Sequence, residues 1–140
     1  MTNAKTETKS KIVLAVDDSR EMLDIFKTIL VAAGYRFLGA SGAKQGLRLI
    51  GEVQPHLILL DIQMPEMDGF EMCRQIRAVE AWKNIPVAFV TARRTAADVE
   101  TGMDAGGNDF ITKPFDGKTL LARVERWMPK PPQAIFRQRA

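Results

Sequence analysis

Ile12-Val13-Leu14-Ala15-Val16-Asp17-Asp18 is an unbroken apolar run, rich in β-branched side chains, that stops abruptly at two acids. An apolar run without alternation predicts a strand buried on both faces, the condition of a parallel sheet covered by helices on each side. The same unit recurs outward from it. Beyond Ser19, the residues Met22, Phe26, Ile29 and Ala33 fall at helical spacing, and Gly34 supplies a stop. Residues 35–40 read as a second strand, and Ala43, Leu47 and Ile50 as the stripe of a short helix. His56-Leu57-Ile58-Leu59-Leu60 reads as a third strand and again ends on an acid, Asp61.

A turn-rich loop over residues 62–69, with Pro65, Asp68 and Gly69, leads to a helix that carries Phe70, Cys73 and Ile76 inward. Residues 85–90 predict a fourth strand closing at Thr91, and residues 96–105 a helix stopped by Gly106-Gly107. Residues 109–111 form a brief fifth strand closing at Thr112-Lys113-Pro114. The last helix starts near residue 116, with Leu120, Leu121, Val124, Trp127 and Met128 as its core stripe. Pro129, Pro131 and Pro132 end regular structure. Five strands alternating with five helices predict a doubly wound α/β sheet, and right-handed crossovers restrict its topologies.

Composition narrows the class. A chain of 140 residues is one domain by length, and 46% hydrophobic with 26% charged residues is globular composition. No apolar run approaches the roughly 18 residues of a membrane span. The single cysteine, Cys73, forms no internal disulfide, which agrees with a reducing cytoplasm. The net charge of +3 is misleading. Lys5, Lys9, Lys11, Lys130, Arg137 and Arg139 lie in the flanks against Glu7 alone, so the segment between is mildly acidic and offers no basic face for nucleic acid.

The chemistry-bearing residues share one position in each unit, the carboxyl end of a strand: Asp17 and Asp18, Asp61, Thr91, Lys113. In an open α/β sheet a ligand binds outside these ends, where the strand order reverses. With the order 2-1-3-4-5, the first and third strands are neighbours and Asp17, Asp18 and Asp61 share one crevice. Three carboxylates there repel each other, and a hard divalent cation, Mg²⁺, offsets the repulsion while keeping sites for water and phosphate. Lys113 adds a fixed positive charge and Thr91 a hydroxyl. These are the parts for phosphoryl transfer onto a carboxylate.

Val16-Asp17-Asp18, then Leu60-Asp61-Ile62-Gln63-Met64-Pro65-Glu66-Met67-Asp68-Gly69, then Val90-Thr91-Ala92, and finally Ala105-Gly106-Gly107-Asn108-Asp109-Phe110-Ile111-Thr112-Lys113-Pro114-Phe115 together resemble the receiver domain of response regulators in two-component signalling. The resemblance covers residues 11–128, leaving residues 1–10 and 129–140 as tails, the first disordered and the second a Pro-rich basic tail or linker. It implies a flavodoxin-like five-stranded parallel sheet of order 2-1-3-4-5 with helices on both faces. It implies Asp61 as phosphoacceptor, with Mg²⁺ held by Asp18 and Asp61 directly, by Asp17 through water, and by the backbone carbonyl of Gln63. Thr91 and Lys113 would bind phosphoryl oxygens, Ala92 would leave room for them, and Phe110 would turn inward as Thr91 moves. A cis peptide at Lys113-Pro114 is implied as well. Gln63 and Arg93 stand where the family varies, beside the path of an attacking water, and are candidates for tuning the lifetime of the phosphorylated state.

The implied donor is a histidine kinase or a histidine phosphotransfer protein. The implied output is protein–protein contact through the fourth and fifth helices and fifth strand, with a phosphorylation-dependent homodimer left open, and no direct contact to nucleic acid or membrane. Such a module is not an enzyme beyond forming and hydrolysing its own aspartyl phosphate. Two rivals compete with this reading: a receiver cut from a longer regulator with an output domain, and a Mg²⁺-dependent phosphohydrolase of the haloacid-dehalogenase type. The latter wants an acid where Gln63 stands. Cys73 and His56 read as structural residues, and Met64 and Met67 as loop packing.

Overall fold

The structure, a computed structural model, describes residues 11–129. The expected tails, apart from Pro129, lie outside the described residues. Strands β1 (Ile12–Val16), β2 (Arg36–Ala40), β3 (Leu57–Leu60), β4 (Val87–Thr91) and β5 (Asp109–Thr112) alternate with helices α1 (Arg20–Ala32), α2 (Ala43–Val53), α3 (Gly69–Ala78), α4 (Ala96–Asp104) and α5 (Gly117–Trp127). The strands form one sheet in the order β2-β1-β3-β4-β5, and every pair is parallel. This is the expected doubly wound, flavodoxin-like arrangement.

The continuous apolar strands are explained by two cores. Alternate residues of β1 diverge: Leu14 and Val16 enter one core, Val13 and Ala15 the other. The first core packs Ile50 of α2 and Met72, Cys73 and Ile76 of α3 against the sheet, with Ala105 just past α4. The second packs Phe26 and Leu30 of α1 and Leu120 and Val124 of α5 on the opposite face. A stacked pair, Phe26 and Phe115 (centroids 5.6 Å apart), ties the β5–α5 connection to α1.

Four of the five helices begin on a side-chain cap, from Ser19, Asp68, Thr95 and Asp116. Helix α2 starts instead at Gly42, without one. Several boundaries differ from the sequence expectation. Strand β4 begins at Val87, not at residue 85, because Pro86 has no N–H to give the ladder. Strand β5 runs on to Thr112, paired with Thr91. A 3₁₀ turn, Glu80–Trp82, fills the connection before β4.

His56 precedes β3 rather than opening it. Its backbone N–H donates to the Ile12 carbonyl, and its Nδ1 accepts the Ile12 N–H at 3.0 Å. The imidazole thus stands in for a backbone carbonyl and extends the β1–β3 ladder. This requires the tautomer protonated at Nε2. No helix among the described residues is long and apolar enough to cross a membrane.

Candidate functional site

Register alone brings the acids together. Val16 pairs with both Ala40 and Leu60, so the residues after β1 and β3 leave the sheet side by side. Asp17 N–H donates to the Ala40 carbonyl and Asp61 N–H to that of Val16, each at 3.0 Å, which fixes both backbones at the sheet's carboxyl edge. One carboxylate oxygen from each of Asp17, Asp18 and Asp61 lies within 4.8 Å of the others. Asp17 is 1% exposed and Asp61 8%, whereas Asp18 faces solvent. The mouth of the site is therefore at Asp18.

Lys113 reaches in from the end of β5. Its Nζ donates to Asp17 Oδ2 at 2.7 Å and to Asp61 Oδ2 at 3.3 Å. The remaining oxygens are also held: Asp17 Oδ1 accepts the Ser19 N–H at 2.9 Å, and Asp61 Oδ1 accepts the Ile62 N–H at 2.7 Å. These bonds leave Asp61 Oδ2 as the oxygen that faces the lysine. The Lys113-Pro114 peptide is cis. Lys113 N–H donates to the Thr91 carbonyl at 2.9 Å, so the lysine and the threonine emerge from adjacent strand ends.

The electrostatics show an excess of negative charge. Burial pushes the Asp17 carboxyl above its ordinary range, although the Lys113 ammonium and the Ser19 amide pull the other way. Burial works to lower the Lys113 pKa, but the hydrogen bond to Asp17 and the charges of Asp61 and Asp17 outweigh it, and the ammonium is held more firmly than usual. Burial penalises the Asp17 anion while Asp17 and Asp61 together hold the Lys113 proton, and Lys113 pairs with only two of the three carboxylates. A divalent cation answers the same need. The donors are all oxygens, hard ligands of the kind Mg²⁺ takes, and the exposed side at Asp18 leaves room for its waters. The acidic cluster is thus compatible with Mg²⁺.

Gly69 makes the close packing behind Asp61 feasible. It opens α3 with its N–H on the Ile62 carbonyl, and a Cβ there would collide with the Asp61 carbonyl oxygen and the Ile62 Cα. The Asp68-Gly69 pair in the loop is thereby explained: the aspartate caps α3 and the glycine allows α3 to abut the Asp61 peptide.

The other expected residues lie around this centre. Thr91 is fully buried, and its Oγ1 accepts the Arg93 N–H at 3.2 Å. Ala92 and Gln63 are exposed. Phe110 is half-buried with its ring 5.8 Å from that of Phe89, which in turn meets Phe70 at 5.6 Å. Arg93 does not point free into solvent: its guanidinium pairs with Asp98 at 2.7 Å and lies over the Phe70 ring. Sequence reading overlooked Asp98, although Thr95 and Asp98 have the spacing of a capping box. It also overlooked Arg77, whose guanidinium binds the carbonyls of Gly106 and Ile85 and the Asn108 side chain, tying α3 to the loops that flank β4 and β5. No sequence signal marks that residue, since its acceptors are loop groups 8, 29 and 31 residues further along the chain.

Comparison with known proteins agrees with this geometry. A family model described as the response regulator receiver domain matches residues 13–125. The chain is 38% identical over 112 residues to the DNA-binding dual master transcriptional regulator RpaA of Synechocystis, covering 80% of this chain and 46% of that protein. It is 36% identical over 127 residues to the sensor histidine kinase CheAY of Helicobacter pylori, covering 89% of this chain and 16% of that one. Among solved structures, the chemotaxis protein CheY4 of Vibrio cholerae superposes with a TM-score of 0.81 at 29% identity, over 84% of this chain and 98% of that one. The chain spans half or less of the length of the curated relatives it matches.

Proposed function

We propose, from the premise that this chain belongs to the response regulator receiver domain family, that it accepts a phosphoryl group on Asp61 and thereby switches its contacts with other proteins. The observation that carries the reading is the Asp61 carboxylate, buried at the carboxyl end of β3 with Lys113 Nζ 3.3 Å from its Oδ2 and two further carboxylates within ligand distance. Because Oδ1 is held by the Ile62 N–H, Oδ2 is the attacking oxygen. It forms the new P–O bond as the donor's P–N bond breaks, and the phosphohistidine imidazole leaves with the bonding pair. Lys113 neutralises charge that builds on the phosphoryl oxygens, and the buried Thr91 hydroxyl, whose oxygen accepts the Arg93 N–H, keeps its own hydrogen to donate to one of them. Asp17, Asp18, Asp61 and the Gln63 carbonyl would hold Mg²⁺, which when bound supplies positive charge to the transferring group.

The phosphoryl donor is a histidine kinase or a histidine phosphotransfer protein. The output surface comprises α4, β5 and α5, where Met103 is exposed and Asp109 is bound by Arg123 and Trp127. Movement of Thr91 toward the phosphoryl group opens space for Phe110 to turn inward, which couples the site to that surface. A phosphorylation-dependent homodimer through the same surface fits this scheme. The greater length of the relatives favours a second reading, in which the receiver governs an attached output domain; the surrounding open reading frame decides it.

The test is incubation with Mg²⁺ and either acetyl phosphate or beryllofluoride, followed by mass spectrometry. One adduct per chain is expected, absent in Asp61→Asn and in chelator. An equal adduct on Asp61→Asn overturns the assignment, and continuous turnover of phosphate esters favours the phosphohydrolase rival.

A further inference from the structure

Arg93 leaves the carboxyl end of β4 two residues after Thr91, and its side chain is held at two points. Nη2 donates to Asp98 Oδ1 at 2.7 Å, and the guanidinium carbon lies 5.7 Å from the centroid of Phe70. Phe70 follows Gly69, whose backbone packs on the Asp61 peptide, and the Arg93 N–H donates to the buried Thr91 Oγ1 at 3.2 Å, so the arginine starts from the same strand end that carries Thr91. Its two ends differ in character. The Arg93 side chain is 42% exposed and borders solvent, whereas that of Asp98 is 11% exposed and bonded to the backbone at the start of α4. Asp98 Oδ2 accepts the Thr95 N–H at 3.2 Å, and Asp98 N–H donates to Thr95 Oγ1 at 3.0 Å, closing the capping box of α4. The hydrogen bond from Arg93, and after it those from Thr95, hold the Asp98 carboxyl below its ordinary range, so it is an anion at neutral pH.

We propose that Asp98 is a positioning residue that parks Arg93 beside the site and competes with the phosphorylated Asp61 for its guanidinium, so that this competition sets the lifetime of the aspartyl phosphate. The proposal rests on the reading of Asp61 given above. A phosphoryl group carries more negative charge than a carboxylate and offers oxygens that match the planar fork of arginine. The ion pair with Asp98 is partly exposed and therefore weak, which is what an exchangeable latch requires. Once transferred, the guanidinium covers phosphoryl oxygens and obstructs water. In the reaction it slows, the water oxygen bonds to phosphorus, the P–O bond to Asp61 breaks with its electron pair returning to the carboxylate, and the water proton leaves on inorganic phosphate. Asp98 keeps its bonds to Thr95 throughout, and loses only its cation.

The experiment compares wild type, Asp98→Asn, Arg93→Ala and the double variant. Each is loaded with acetyl phosphate and Mg²⁺, freed of donor, and followed by mass for loss of the adduct. Asp98→Asn keeps an oxygen for the Thr95 amide but releases Arg93, so its adduct is expected to decay about two- to fivefold more slowly, the range a partly exposed ion pair supports. Arg93→Ala is expected to decay faster than wild type, and the double variant at the Arg93→Ala rate. A wild-type decay rate in Asp98→Asn overturns the proposal. So does an Asp98→Asn effect of equal size with alanine at 93, which assigns it to the helix cap. A second readout needs no variant: the Arg93 Nε–H resonance is expected to move on adding beryllofluoride, and an unmoved resonance also refutes the exchange. Absence of any adduct on wild type refutes the Asp61 reading itself, whereas an adduct with the rates just described as contrary refutes only the latch.

Discussion

Removing a carboxylate from the crevice is expected to stabilise the metal-free protein, and Asp18 is the residue on which to test it. It is exposed, so Asp18→Asn creates no cavity, and it makes no ion pair with Lys113, whose Nζ is committed to Asp17 and Asp61. An Asp18 oxygen lies within 4.8 Å of an oxygen from each of the other two acids. At that separation two unit charges repel by about 0.9 kcal/mol in a water-like dielectric, the appropriate one for a residue at the mouth. Two such repulsions, partly offset by the loss of attraction to the Lys113 charge, leave a net gain of about 1 kcal/mol at low salt. Screening cuts that to roughly half at physiological ionic strength. Urea unfolding followed by circular dichroism in chelator reads the difference as a higher midpoint at unchanged slope. Addition of Mg²⁺ should then reverse the order. A ligand that binds only the folded state adds about 2.7 kcal/mol at a hundredfold excess over its Kd, and the variant, lacking one ligand, gains less. The two stability curves therefore cross as Mg²⁺ rises. An Asp18→Asn protein no more stable than wild type in chelator, or one that gains as much from Mg²⁺, refutes the electrostatic account.

Three further outcomes follow from the geometry. Lys113→Met leaves the buried Asp17 without a cation and should cost about 2–4 kcal/mol in chelator, below the full penalty for a broken buried pair because Lys113 itself keeps some contact with water; wild-type stability in that variant contradicts the pairing. Gly69→Ala drives a Cβ into the Asp61 carbonyl and should cost about 1–3 kcal/mol, with the Asp61 and Ile62 amide resonances displaced; a variant with unmoved amides shows that the contact is slack. Burial, and then the Lys11 charge, lowers the pKa of His56 from its ordinary 6.5. The unfolded chain then takes up the proton first, so stability is full above pH 6.5 and declines as pH falls from there through the folded value. As the chain's sole histidine, it can be titrated by proton NMR alongside urea midpoints, and the decline below pH 6.5 should be reduced in His56→Gln.

The site was largely legible because its residues are also the residues that end strands. Asp17, Asp61, Thr91 and Lys113 each interrupt or follow an apolar run, and a parallel sheet collects such interruptions at one edge. His56 was legible only as a structural residue: nothing local indicates that its ring accepts a backbone N–H 44 residues away in the chain. The strand starts were misplaced at Pro86, which has a carbonyl but no N–H to give the ladder, and at His56, which lies just before β3 although its backbone N–H already donates to Ile12.

By itself, the sequence determined the alternation of buried strands and amphipathic helices, hence the fold class, and it determined which side chains the sheet's carboxyl edge carries. Apolar periodicity and strand-ending acids are local properties of the chain, and burial of a two-faced strand has few solutions. The tertiary structure decided what those side chains do to each other. It assigned Lys113 to Asp17 and Asp61 while leaving Asp18 at the mouth, it turned Arg93 onto Asp98 and Phe70, and it committed one oxygen of Asp61 to its own neighbour's amide. Those choices depend on angstrom-scale distances between residues up to 96 positions apart, where charge, burial and hydrogen-bond direction compete.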